Sequence, residues 1–537
     1  MRGFKDRQTD LETFAGTASR VGQRLVNSIG AQYDDFVLFS FDVSQAFAKG
    51  MPFEELSKIT GEPLRAVEFD LRGEDVDFLR LIPGFEDFNP SLETLEMIKP
   101  IYGLKDAPRA WRKRLHQAMT KGRLKQLHAE PEIYTRHTYK ALENGQTAIT
   151  GTDRMDKLRQ REVDAGNETA STYSTGRKRR HSATLEMILS THVDDLKGAA
   201  TRKAAEELLK CLEGEFGKCK AEWQNFMHTG IQHERRQDGI YAHQHSYVKA
   251  IKPMSLDGIK KLGELDTVDD LTHNLYRKIL GEVAWTMLTR ADLAVYVQAL
   301  QRRGAKPRVV DCRRINLVVR YLKRHATGIF YPKLAQPWRL VGISDSAFRA
   351  QEDESTGLAL RGLTVLLSTD DTNNPTSPNG LINLIDFIVR RLRRVVRSTF
   401  SAELNALIDA IETLILTQLA MHQVIHGTNE TADELLQALE DGQLDPPIDV
   451  VIDARSVFDS LAVQDVCNPA EMSLELHLIA IRAKLESGLL RNLYWCDTRD
   501  MLADGLTKGG IDRTMLIKAL DKGQYTLQHP VVKCGKK

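Results

Sequence analysis

The sequence predicts a multidomain α+β chain, and three observations carry that expectation. Its 537 residues exceed the roughly 100–200 of a single domain and leave room for about three or four folding units. Short aromatic and β-branched runs alternate with segments of helical apolar period, the mixture that builds packed sheets and helices. From residue 338 onward the pattern changes to five strands interspersed with helices, which predicts an α/β unit on a five-stranded sheet. A composition of 42% hydrophobic and 27% charged residues supplies cores for such units.

Leu11, Phe14, Ala15, Ala18, Val21, Leu25 and Ile29 recur at near-helical spacing and predict a helix over 9–31. The run 36–41 reads as a buried strand that delivers Asp42 at its end. Residues 137–183 are rich in Thr, Ser, Gly and charge without an apolar period, and read as a disordered surface insertion. A strand over 187–193, a tight turn at Asp194 and Asp195, and a return strand over 196–199 place a carboxylate pair at a hairpin tip, before a helix over 201–216. Residues 246–326 are largely helical. Strands then follow at 339–344, 358–367, 383–389, 448–452 and 491–495, with a long helix over 399–425 capped by Ser398 or Thr399 and a last helix from about 500. No period of about 20–50 residues recurs, which excludes a solenoid.

Lys and Arg total 74 against 73 Asp and Glu, but the charge is segregated. Residues 301–324 hold nine basic side chains and one acid, Asp311; 390–397 hold Arg390, Arg391, Arg393, Arg394 and Arg397; 177–180 are a third basic group, a candidate nuclear-entry signal. The stretch 428–449 is acidic throughout. A polyanion would be drawn to the first set and repelled by the last. No uncharged apolar stretch reaches the ~18–20 residues of a membrane span, and Met1-Arg2-Gly3-Phe4-Lys5 opens no apolar leader, so an intracellular protein, cytoplasmic or nuclear, is expected. Six cysteines without a CxxC pair give neither a zinc knuckle nor a disulfide framework.

Two groups of acids are candidates for chemistry. Asp42, at a strand end, is expected beside Asp194 and Asp195. Asp345, Glu403, Asp453 and Asp504, spread over the last 200 residues, are borne by strand ends and helices that an α/β sheet brings to one edge. Converging carboxylates repel one another and persist at low cost when a divalent cation neutralises them. Oxygen ligands favour Mg²⁺ or Mn²⁺ over zinc.

Four ordered segments resemble the reverse transcriptase of copia-type LTR retrotransposons: 39–47 with Asp42, the tyrosine-glycine-leucine-lysine stretch 101–111, His192-Val193-Asp194-Asp195, and 289–293. Four more, 342–346, 401–407, 451–457 and 502–508, resemble the ribonuclease H of the same elements. The resemblance implies a right-hand polymerase with a ferredoxin-like palm and a partial fingers region over 1–245, a helical thumb or connection over 246–335, an RNase H-like domain over 336–515 with an acidic insert at 428–447, and a tail over 516–537. It implies two Mg²⁺ or Mn²⁺ ions per site, held by Asp42, Asp194 and Asp195 in one and by Asp345, Glu403, Asp453 and Asp504 in the other. Phe47 would exclude ribonucleotides, and Tyr102, Gly103, Lys105 and Arg109 would line the nucleotide and template. Arg393, Arg394 and Arg397 would contact phosphates. The implied partners are an RNA template, a DNA primer, deoxynucleoside triphosphates and RNA–DNA hybrids. Residues 226–231 would grip the primer end.

Three positions depart from the family pattern: His192 stands for Tyr, Asp106 for Gln, and Trp495-Cys496 where a His is common. The opening at Arg2-Gly3-Phe4 resembles the middle of a fingers strand, as in a fragment of a longer polyprotein or a decayed copy. A non-catalytic nucleic-acid-binding scaffold that keeps both folds is the competing reading. The presence of all seven acids argues for the enzyme.

Overall fold

The structure is a computed structural model that describes residues 11–71, 73–141, 181–348, 359–370, 380–462 and 472–534. The basic group 177–180, Arg2-Gly3-Phe4 and Cys467 lie outside the described residues.

The first sheet has the order β4-β5-β6-β7-β1-β8, built from Lys125–Gln126 (β4), Ile133–Ala141 (β5), His181–His192 (β6), Asp195–Thr201 (β7), Phe36–Asp42 (β1) and Lys220–Trp223 (β8), while Glu68–Phe69 (β2) and Leu95–Glu96 (β3) pair as a separate antiparallel ribbon. Its segment β8-β1-β7-β6 has the strand order of a ferredoxin-like sheet, and β5 and β4 extend it. β1 is buried on both faces because its apolar residues serve two cores. Phe36 and Leu38 pack toward helix Arg20–Gly30, while Phe39 and Phe41 pack toward helices Ala107–Lys121 and Arg202–Phe216. The expected insertion begins later than its composition suggests. Residues 137–141 and 181–183 continue β5 and β6 as paired antiparallel strands, up to Ala141 opposite His181; 142–180 lie outside the described residues.

The expected helix over 9–31 starts only at Arg20. Ser19 Oγ accepts the Gly22 N–H at 3.0 Å and caps it there. Upstream, the Ala18 N–H donates to the Thr191 carbonyl, and Phe14 remains exposed despite its place in the apolar period.

A four-stranded sheet, β12-β11-β10-β9, joins Asn225–His228 (β9), Ile231–Arg236 (β10) and Gly239–His243 (β11) to Ile329–Pro332 (β12). A boundary at 245 therefore cuts through a sheet that closes across the helical region. Between β11 and β12 the helices Asp270–Thr286, Ala294–Arg302 and Val309–Arg324 share a core of Tyr276, Val283, Val297, Cys312 and Ile315. Arg290 and Asp292 of the 289–293 motif are buried and paired with each other at 2.7 and 2.9 Å, so that motif acts here as an internal staple.

The C-terminal sheet runs β18-β15-β14-β13-β16-β17-β19. Its five long strands are Trp338–Ala347 (β13), Leu360–Thr369 (β14), Gly380–Arg391 (β15), Ile448–Ile452 (β16) and Asn492–Trp495 (β17). Two short edge strands, Gln524–Tyr525 (β18) and Val532–Lys533 (β19), make it seven-stranded among the described residues rather than five. Both come from the expected tail. That segment folds because Leu516, Leu520, Tyr525 and Leu527 have apolar surface to bury. The last helical region is also broken: a single turn Asp504–Thr507 precedes helix Thr514–Lys522. The acidic stretch holds a capped helix, Ala432–Glu440, that buries Leu435 and Ala438. Helix Thr399–His426 is long and apolar enough by composition to cross a membrane. Here it is a core helix, burying Leu404, Leu407, Ile411, Leu414 and Met421.

Helix Arg20–Gly30 lies between the two large sheets, and one hydrophobic cluster runs from it into both. Arg24 forms a buried 2.8 Å ion pair with Asp386 of β15, and Gln32 Oε1 accepts the Leu334 N–H at 2.7 Å.

Candidate metal centres

The first group of acids converges through strand pairing. β1 and β7 are antiparallel neighbours with Asp42 directly opposite Asp195, a pairing that sets Cα atoms about 4.5–5.5 Å apart. The Val43 N–H donates to the Asp194 carbonyl at 3.3 Å. The hairpin tip turns at Val193, at φ +59°, a left-handed conformation uncommon for a β-branched residue. Its carbonyl accepts the indole N–H of buried Trp111 at 2.7 Å. Partial burial raises the Asp195 carboxyl above its ordinary value, with further upward pushes from Asp194 and Asp42.

The nearby sequence candidates divide. Phe47 and Tyr102 meet ring to ring, centroids 4.9 Å apart. Gly103 sits at φ +96°, where a side chain would be strained, and Lys105 is exposed. Arg109 is different. Its guanidinium is buried and held by Glu62 at 2.7 and 3.0 Å and by Glu12 at 2.7 Å, an internal ion pair rather than a group presented to a ligand. Asp106 is buried against Arg65 at 2.5 Å, so its charge is answered inside the protein. Residues 226–231 form a hairpin whose turn, Thr229-Gly230, has both residues at positive φ, and Met227 at its edge is exposed.

The second group converges through the C-terminal sheet. β13 and β16 are parallel with Ile343 beside Val451, so Asp345, still within β13, and Asp453, just past β16, stand at the same end of the sheet. Helix Thr399–His426 starts at the Ser398 cap and brings in Glu403, and the turn Asp504–Thr507 brings in Asp504. One carboxylate oxygen each from Asp345, Asp453 and Asp504 lies within 4.8 Å of the others. Burial, then the charge of Asp345, raises Glu403, Asp453 and Asp504. Thr507 Oγ1 donates to Asp345 Oδ2, and Lys508 Nζ lies 2.6 Å from Asp504 Oδ1 and 3.5 Å from Asp345 Oδ1. A self-repelling, all-oxygen donor set, buried at Asp345 and Asp504 and half-buried at Asp453, fits a hard divalent cation.

Beside this edge Leu392 and Val396 are buried with Ala359 and Ala402. That anchorage leaves Arg393, Arg394 and Arg397 exposed between β15 and the long helix. Cys496 is a buried thiol, pushed up by burial and then by Asp453.

Sequence reasoning missed three contributors. Trp111 and Lys508 lay inside quoted motifs without a role. Gly362 is directly opposite Asp345 on β14, where an added Cβ would stand 2.7 Å from Thr507 Cγ2 and 3.3 Å from the Ala503 carbonyl oxygen. No motif marks that glycine. A further cluster, His422, His426 and Asp445, also brings possible metal ligands together. There His422 Nδ1 accepts the Asp445 N–H at 2.9 Å, which puts the imidazole proton on Nε2, facing Glu430 at 3.2 Å. That is a hydrogen-bonded clamp rather than a cage of lone pairs.

No family model and no curated protein matches the chain. Solved structures do. A ribonuclease H1, LC11, isolated from compost by a metagenomic approach, is 18% identical and covers 31% of this chain and 91% of its own, with a TM-score of 0.19. A foamy viral protease-reverse transcriptase in complex with dsDNA is 12% identical and covers 93% of this chain and 74% of its own, with a TM-score of 0.40.

Proposed function

We propose that the chain is a retrotransposon-derived, copia-type RNA-directed DNA polymerase joined to a ribonuclease H. One observation supports this most: two groups of acids, distant in sequence, converge separately, Asp42 opposite Asp195 and Asp345 with Asp453, Asp504 and Glu403. In this reading the first sheet is the palm, the helices between β11 and β12 are the thumb, and the C-terminal sheet is the nuclease.

Asp42, Asp194 and Asp195 would hold cations at the polymerase centre, and the four C-terminal acids would hold them at the nuclease centre. Two Mg²⁺ or Mn²⁺ ions per centre would supply Lewis-acid stabilisation of an in-line phosphoryl transfer. Trp111 fixes the hairpin tip so that the paired aspartates keep their register. Phe47, braced by Tyr102, closes the space a ribose 2′-hydroxyl would need. Gly103 lets the backbone approach template and nucleotide. Arg393, Arg394 and Arg397 engage hybrid phosphates without reading sequence. The protein acts inside the cell on an RNA template, a DNA primer, deoxynucleoside triphosphates and RNA–DNA hybrids.

A second reading, a nucleic-acid-binding scaffold without turnover, is favoured by Arg109, which is committed to Glu62 and Glu12. One assay separates the two. The purified chain is given an RNA–DNA hybrid and a primed RNA template with and without Mg²⁺. Metal-dependent cleavage lost in Asp345→Asn, with hybrid binding retained, supports the enzyme; binding without turnover selects the scaffold.

A further inference from the structure

We propose that Lys508 is a built-in counter-cation of the nuclease centre: it holds the acids together in the metal-free protein and must leave Asp504 when a divalent ion binds. The proposal rests on the nuclease reading and adds to it a competition inside the site.

The geometry carries it. Asp345, Asp453 and Asp504 bring three carboxylate oxygens within 4.8 Å, with Glu403 adjoining, and such a set repels itself unless a cation stands among them. Lys508 Nζ stands there, 2.6 Å from Asp504 Oδ1 and 3.5 Å from Asp345 Oδ1. The other oxygen of Asp345 is taken by the Thr507 hydroxyl. The chain sets this up locally. The helical turn Asp504–Thr507 ends at Lys508, whose N–H donates to the Asp504 carbonyl at 2.9 Å while its backbone turns extended, so residues 504 and 508 stay within reach of each other.

An ammonium and a divalent ion cannot share Asp504 Oδ1 on equal terms. Mg²⁺ binds carboxylate oxygen at about 2.0–2.1 Å in a crowded octahedron, inside the space of a lysine nitrogen already at hydrogen-bond distance. Lysine suits the exchange. It is a point charge on a flexible stem, and its side chain is 34% exposed, so Nζ has a path to solvent. An arginine fork would be harder to dislodge. The metal-free centre is thereby stabilised and the metal-bound centre weakened, by the same contact.

The test is Mn²⁺ binding, followed by electron paramagnetic resonance, together with melting in EDTA. It uses the full chain carrying Asp42→Asn and Asp195→Asn, so that the nuclease centre alone is read. Adding Lys508→Met should tighten Mn²⁺ binding by about tenfold or more, the scale of one charge-assisted hydrogen bond, and lower the melting temperature in EDTA. Saturating Mn²⁺ should close that gap, and Lys508→Arg should restore the EDTA melting temperature. A merely structural lysine would lower stability without tightening Mn²⁺. Equal or weaker Mn²⁺ binding by folded Lys508→Met overturns the proposal, as does a Lys508→Met chain that fails to fold even with Mn²⁺. Mn²⁺ binding that Asp345→Asn leaves unchanged, both with Lys508 intact and in Lys508→Met, sinks the nuclease reading itself.

Discussion

The indole N–H of Trp111 donates to the Val193 carbonyl at 2.7 Å, tying helix Ala107–Lys121 to the hairpin tip that carries Asp194 and Asp195. The tip pairs a left-handed valine with adjacent like charges, so it needs outside support. Trp111→Phe keeps most of the apolar contact with Phe216 but strands the carbonyl, a loss of about 1–3 kcal/mol. Chemical denaturation should show a drop of that size. Primer extension should fall much further than hybrid cleavage; equal losses would mean that the bond serves the whole fold rather than the tip.

Phe47 follows the turn after Asp42, and its half-buried ring lies against Tyr102 and the margin of the core that holds Phe41 and Trp111. Phe47→Ala should admit ribonucleotides, seen as ribonucleotide incorporation in primer extension, with a stability loss below the roughly 3–5 kcal/mol of a fully buried phenylalanine. Undiminished discrimination combined with a large stability loss would make Phe47 a packing residue.

Gly362 faces Asp345 across β13 and β14, and the turn bearing Asp504 packs onto its bare Cα. Gly362→Ala pushes against Thr507 and the Ala503 carbonyl, and hybrid cleavage should fall by at least about tenfold, since displacements near 1 Å have costs of that order and above. Primer extension should be unaffected. Unchanged cleavage would show that the turn yields without moving the carboxylate.

Motifs made the two acid groups legible because each acid is local to a strand end or a helix start, and short strings such as Phe41-Asp42 or Ser401-Ala402-Glu403 report such places. What they leave out is contact between distant segments. Gly362 matters because of residues 503–507, and Arg109 is spent on Glu62 and Glu12, pairings that no window of sequence contains. Apolar period says nothing of the Ser19 cap, so the period over 9–31 runs past the start of helix Arg20–Gly30. The edge strands of the tail, Gln524–Tyr525 and Val532–Lys533, are too short to carry a readable pattern. The union of the sheets through Arg24 and Asp386, 362 residues apart, is of the same kind.

That ion pair is buried on both sides, at 6% and 7% side-chain exposure. Burial pulls Arg24 down and Asp386 holds it up, so removing Asp386 leaves an unanswered guanidinium. Asp386→Ala should cost about 3–5 kcal/mol, read as a shift in the urea midpoint of the full chain. Because helix Arg20–Gly30 serves both sheets, one shifted transition is expected. A change under about 1 kcal/mol would mean that water reaches Arg24 once Asp386 is gone.

One part of the pH dependence of stability comes from bases buried uncharged. Burial is the first cause of the lowered values of His137, His228 and His233; His228 is pushed down to about 2, with Lys197 next in effect. His233 Nδ1 donates to the Ile231 carbonyl, and its Nε2 faces Lys197 Nζ at 3.3 Å, a neutral tautomer held on both sides. Below the ordinary histidine value of 6.5 the unfolded chain takes up protons that the folded chain refuses. Their contribution is thus complete above that value and is lost progressively as pH falls below it. Lys197, pushed down to about 7 by burial and then by Arg24, has the same sign in a higher window: its buried charge weighs on the fold below 7 and is relieved as pH rises toward 10.5. The acids of the C-terminal centre, with burial pushing Glu403 up to about 9 and Asp504 up to about 7, carry the opposite sign over the same range, so the test is a difference. The urea midpoint of Lys197→Met minus that of the unaltered chain, both in metal-free buffer, should shrink as pH rises from 7 to 9. A difference that stays constant over that window would mean that Lys197 keeps its charge in the folded protein.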